Sequence, residues 1–178
     1  MEQKTLTPDE NKAAEGFAGL VSEYVTLVDN LSTFTTSAFL FECSRLLPRI
    51  YLHALELPGV FVSEAYGNEE LDSPVGAIME KLGKYDFYHD IFDPIFDEEI
   101  VYQSISEDLA DIYVDLKGQI HNFETGGVYK EYAIWNWSFG FQNHWGKHVL
   151  STLKPIHWLL YNHMGLDYDV NDTQEVGN

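Results

Sequence analysis

"WNWSFGFQNHWGKH", residues 135–148, places three tryptophans, two phenylalanines and two histidines in fourteen positions. Apolar and aromatic residues occupy nearly every face a helix could present. The stretch therefore reads as the buried middle of one long helix, from about Tyr129 to His163, bent at Pro155. On such a helix His144 and His148 lie one turn apart on a single face. Trp137 shares that face and Phe141 borders it.

Helical signals continue outward. "TPDE" supplies Thr7 as N-cap, Pro8 at the first helical position and Glu10 to close a capping box. Phe17, Leu20, Val21, Tyr24, Leu27, Val28 and Leu31 then recur at helical spacing. A second helix is expected from about Thr35 to Leu57, kinked at Pro48 and ended by Pro58-Gly59. Ser73-Pro74 restarts a short helix, and "YDFYHDIFDPIFDEE" after it is aromatic, acidic and unassigned, with a turn expected at Pro94. Ser104 and Glu107 make a second capping-box pattern, opening a helix whose apolar face is Ile105, Leu109, Ile112, Leu116 and Ile120. Gly126-Gly127 breaks the chain before the last helix. No hairpin signal competes. The expected fold is all-α: a single-domain bundle of about five or six helices over residues 1–165, with a kinked second helix, a buried aromatic last long helix and a polar tail at 166–178.

The 178 residues suffice for a substantial core. Ten Lys and Arg against 29 Asp and Glu give a net charge of −19, which repels nucleic acid and anionic lipid alike. Such a surface suits cations or a basic protein. The acids are unevenly spread, with ten between Asp86 and Asp115 and no Lys or Arg among them. Cys43 is the one cysteine, so no internal disulfide forms, and its apolar surroundings make it an inert buried thiol. "MEQKTLTPDE" has no apolar signal-type stretch and no run reaches membrane-span length, so a cytoplasmic location is expected.

Two side-chain sets stand out. His144 and His148, four apart, can chelate one metal ion, although Trp145 stands where the Glu of a metalloprotease His-Glu-x-x-His would be. On the 105–121 helix, Glu107 and Asp108 suit the positive end of the helix dipole. Asp111 and Asp115 have no such excuse. They repel at i and i+4, costing about 0.2–0.5 kcal/mol, and have no basic residue three or four positions away. A local rule broken without local compensation is expected at a functional site. Asp111, Asp115, His144 and His148 are thus the candidate metal ligands, held between facing helices, with Trp137 and Trp145 walling them from water. Di-iron sites of this kind use Glu and a Glu-x-x-His that are absent here.

Other motifs fail. "DYDVNDTQEVGN" begins like a calcium loop but has Asp172 where Gly belongs and Asn178 where a bidentate Glu belongs. Phosphate-binding glycine loops and a nucleophile elbow are absent. His53, His89, His121, His157 and His163 stand alone.

"LLPRIYLHALELP", "FDP", "EDLADIYVDLK" and "WNWSFGFQNHWGKHVLSTLKPIH" together resemble a family of bacterial all-helical proteins known only as a domain of unknown function, over roughly residues 45–158. The most specific part is W-x-W-x-F-x-F-x-x-H-W-G-x-H. The resemblance implies special positions at Asp108, Asp111, Tyr113, Asp115, Trp137, His144, Trp145 and His148, and a bacterial, cytoplasmic setting. Gly140 and Asn143 depart from the pattern where Ser and Ser or Thr are expected, and Pro155 interrupts a smoother helix. The resemblance implies no activity.

Two functions follow as expectations. In one, a metal-binding or polar site lies between the 105–121 and 129–163 helices, open to a divalent ion such as zinc, manganese or iron, with Asp108, Tyr113, Trp137 and Trp145 as pocket or structural support. In the other, the protein is a non-catalytic acidic binder of a basic protein partner and its histidines are architecture. A homo-oligomer fits either.

Overall fold

The computed structural model describes residues 6–167 apart from 63, 68–70, 92, 94, 97 and 164. The chain is mostly helical, with α1 (Pro8–Asp29), α2 (Thr36–Ala54), α3 (Val75–Leu82), α4 (Ile105–Lys117), the short α5 (Ile120–Thr125), α6 (Gly127–Asn143) and α7 (Trp145–Asn162). Between α3 and α4 lies one antiparallel pair, β1 (Phe87–Ile91) and β2 (Ile100–Ser104), in which His89 faces Tyr102 and Ile91 faces Ile100. Among the described residues no helix is long and apolar enough to cross a membrane.

Capping explains the first helix. Thr7 Oγ1 accepts from the Glu10 amide at 3.3 Å, and a Glu10 carboxylate oxygen accepts from the Thr7 amide at 2.9 Å. The expected apolar stripe of α1 is buried, from Phe17 through Leu31. Thr35 caps α2, which continues unbroken through Pro48 and ends at Ala54. Helix α4 lies in the middle of the body, packed on α7, α3 and α1. The Tyr24 hydroxyl donates to the Leu109 carbonyl across the α1–α4 seam at 2.8 Å. Burial pushes that phenol's pKa well up, with Cys43 and Asp108 adding to the effect, so it stays a donor. Cys43 is fully buried and its thiol is likewise pushed up by burial.

Two expectations need correction. The acidic aromatic segment contains a hairpin although no strand signal was expected there. Its start is fixed by buried Asp86, which accepts from Ser106 N at 2.7 Å, Ser106 Oγ at 2.8 Å and Ser104 Oγ at 3.0 Å. Ser104 caps α4 by accepting from Glu107 N at 3.2 Å. The hairpin's base and the helix start are therefore one hydrogen-bonded knot.

Residues 135–148 also depart from the expected single helix. The last long helix is two helices, and they part at His144, whose backbone (φ −142°, ψ −89°) is not helical. The cause is packing. Trp145 turns fully inward, and its indole Nε1 donates to the Trp137 carbonyl at 3.1 Å. Trp137 in turn donates to the Leu116 carbonyl of α4 at 3.0 Å. Only glycines fit beside this corner. A Cβ on Gly140 would lie 2.8 Å from Trp145 Cδ1, and one on Gly146 would lie 2.2 Å from the Phe141 carbonyl oxygen. Phe17 packs edge-on against Trp137, with centroids 5.2 Å apart, and Phe141 lies 5.1 Å from Trp145.

The expected tail begins at residue 166, but Leu166 is buried and Asp167 accepts from the Ser37 amide at 2.7 Å. The remainder, 168–178, with most of the calcium-like stretch, lies outside the described residues.

Candidate metal centre at the α6–α7 corner

Because the chain breaks at His144, the two histidines do not share a helix. His144 is the corner residue and His148 sits in the first turn of α7. Their rings still meet, with centroids 4.9 Å apart and planes at 77°. Opposite them runs α4, whose Asp108, Asp111 and Asp115 recur at helical spacing and point to the same side.

Each histidine is held by a different aspartate. Asp115 Oδ2 lies 2.7 Å from His144 Nδ1, and Asp108 Oδ1 lies 2.7 Å from His148 Nδ1. A carboxylate can only accept, so both Nδ1 atoms carry hydrogen, and in the neutral ring Nε2 keeps a lone pair. The third aspartate faces that lone pair: Asp111 Oδ2 is 3.6 Å from His148 Nε2. This is too long for a hydrogen bond. It is close to the separation of two ligands on one tetrahedral ion, about 3.4 Å with bonds of about 2.1 Å. Asp111, His144 and His148 each offer a ligand atom, all within 4.8 Å of one another.

Burial grades across the site. The Asp108 side chain is 4% exposed and that of His148 19%, whereas the Asp111 and His144 side chains are each 47% exposed. One end is locked and the other open to solvent. Buried Asp108 is satisfied on its second oxygen by the Tyr88 hydroxyl of β1, which donates at 2.6 Å. Burial first, then the bond to Asp108, pushes the Tyr88 pKa up, so it remains a hydrogen-bond donor.

The structure thus brings together Asp108, Asp111, Asp115, His144 and His148. Asp108, expected as support, binds a histidine directly. Asp115, expected among the ligands, bonds to His144 Nδ1. Trp137 and Trp145 are 1% and 0% exposed and brace the corner from within. Tyr113 is not brought to the histidines: its hydroxyl donates to Asp29 of α1 and accepts from Lys117. Sequence reading missed Tyr88, and the signal for it lay in tertiary structure alone, since it reaches Asp108 from a strand that was not foreseen.

The chain belongs to the family described as domain of unknown function DUF5063, which matches residues 8–162. Its fold is similar to the crystal structure of protein BF1032 from Bacteroides fragilis, a structural-genomics target, with a TM-score of 0.73 and 24% identity over 84% of this chain and 93% of that one. No curated protein matches the chain.

Proposed function

We propose that the protein binds a divalent transition-metal ion at the α6–α7 corner, through Nε2 of His144, Nε2 of His148 and the carboxylate of Asp111. The observation that carries this reading is the capture of both Nδ1 atoms by carboxylates, Asp115 and Asp108, at 2.7 Å. A metal-binding histidine characteristically donates its other ring N–H in this way, which fixes the tautomer and makes the free nitrogen more basic. Three carboxylates around two imidazoles also favour a cation.

Two imidazoles and a carboxylate suit zinc, iron or manganese. Three protein ligands leave positions for water or substrate, as in catalytic rather than structural sites. The half-exposed side of the site, at Asp111 and His144, is where a substrate would enter. A reducing, cytoplasmic setting belongs to the same reading, supported by the single buried cysteine.

The alternative, an acidic docking face for a basic protein with purely structural histidines, draws on exposed Glu98 and Glu99. It draws less from the rest of the acidic run, because Asp86 and Asp108 are buried and Asp111 and Asp115 turn to the histidines.

The test is metal content by mass spectrometry on untagged protein after incubation with zinc, manganese or iron(II). One equivalent is expected, lost in His144→Ala/His148→Ala and in Asp111→Ala variants that keep their helical circular dichroism. A parent protein that takes up none of the three metals would overturn the reading.

A further inference from the structure

The hairpin is inside out. A two-stranded sheet on a helical body should turn its apolar side chains to the body and its polar ones to water. Here the partly covered side carries Tyr88, Asp90, Val101 and Gln103, while the exposed side carries Phe87, His89, Ile91, Ile100 and Tyr102. Phe87, Ile100 and Tyr102 are 61%, 64% and 75% exposed. A contiguous apolar face of this kind marks an interaction surface.

The two ends of the hairpin differ in charge. At the tip, Asp93 accepts from the amides of Ile95 and Phe96 at 3.0 and 3.2 Å. Ile95 and Phe96 are 80% and 85% exposed, beside exposed Glu98 and Glu99. This is an apolar knob with an acidic collar. At the base, a pocket of about 280 Å³ opens between β1 and α7, walled by Tyr85, Phe87, Trp158 and Leu159 and edged by Lys84 and Lys154. It holds two of only ten basic residues in the chain. Lys154 is 66% exposed and makes a loose 3.7 Å pair with Asp90. The knob and the pocket match in chemistry but lie at opposite ends of one hairpin, whose five-residue strands span about 17 Å.

We infer that a second copy of the chain covers this face. The two hairpins stack face to face and antiparallel about a twofold axis, so that each tip seats Ile95 and Phe96 in the other copy's pocket. Glu98 and Glu99 then meet Lys84 and Lys154. The parallel arrangement would set acidic tip against acidic tip. The interface is self-complementary, so it closes as a dimer and does not propagate.

Sedimentation velocity from about 1 to 100 µM is the test, since micromolar dissociation constants fall in that range. A dimer is expected, with Phe96→Asp and Lys154→Glu each weakening it at least about tenfold, about 1.4 kcal/mol. Adding Glu98→Lys and Glu99→Lys to Lys154→Glu should restore it. Leu52→Asp, at an exposed apolar position on α2, should leave the dimer unchanged. A monomer across the range, a larger assembly, indifference to both single variants, failure of the charge exchange to restore pairing, or dissociation by Leu52→Asp would each overturn the inference.

Discussion

Asp108 holds His148 from a position 3% exposed to solvent, its Oδ1 2.7 Å from the imidazole Nδ1. Replacing the carboxylate by an amide keeps the shape but offers the ring either a donor or a neutral acceptor. We predict that Asp108→Asn lowers affinity for the metal proposed at the corner by about 10- to 100-fold, the usual cost of losing such a partner. Isothermal titration with zinc would measure it. Asp115→Asn should do less, because the His144–Asp115 pair is more exposed, with side chains 47% and 32% accessible.

Tyr88→Phe removes the hydroxyl that satisfies the other Asp108 oxygen. A hydrogen bond to a buried charged group contributes about 1.5–3 kcal/mol. The variant should lose about that much in urea denaturation and loosen β1 from α4. Phe87→Ser, one residue earlier and facing outward, should cost far less in the isolated chain.

The corner glycines predict a ranked pair. Gly140→Ala gains about 1 kcal/mol of helix propensity but brings a Cβ to 2.8 Å from the Trp145 ring. Overpacking of this kind costs about 1–3 kcal/mol, so the net effect is a modest loss. Gly146→Ala meets the Phe141 carbonyl, backbone that has nowhere to go, and should be the more damaging by well over about 1 kcal/mol. Equilibrium unfolding of both variants would show the order.

Asp167 anchors the end of the described chain to the start of α2. Its pKa reflects burial, which raises it, outweighed by the hydrogen bonds from Ser37, which lower it below the usual carboxylate value. A carboxylate depressed in the folded state stabilises above its unfolded pKa, and that contribution disappears as pH falls through the folded value. Acidification below the ordinary carboxylate range should therefore release the anchor. Asp167→Asn should be less stable at neutral pH and nearly indistinguishable at strongly acid pH, as thermal unfolding across pH would reveal.

Much of this was legible in the sequence because the signals were local. Thr7 and Glu10 form the box their spacing foretold. Asp111 and Asp115, with no basic residue three or four positions away on α4, lie 3.6 Å from His148 and 2.7 Å from His144. What escaped was tertiary in origin. Between Phe141 and Lys147 only Asn143 and Gly146 are weak helix formers, too little to end a helix by propensity alone; the break goes with burying Trp145 against Trp137. The hairpin hid because its alternation is inverted, with the apolar residues outside. Asp108 looked like an acid placed for the helix dipole, and only packing of α7 on α4 reveals its imidazole.

The corner at His144 has a kinetic consequence. Where α6 stops and α7 starts, amides near the bend lack the uninterrupted ladder of a single helix, so they are places where the backbone can open without unfolding the rest. A ligand gripping His144 on the bend and His148 one turn beyond would staple that opening shut. Amide hydrogen exchange around residues 141–148 should then slow on metal addition by more than exchange elsewhere in the chain. Loading of the ion would be written into the solvent exchange of a single bend.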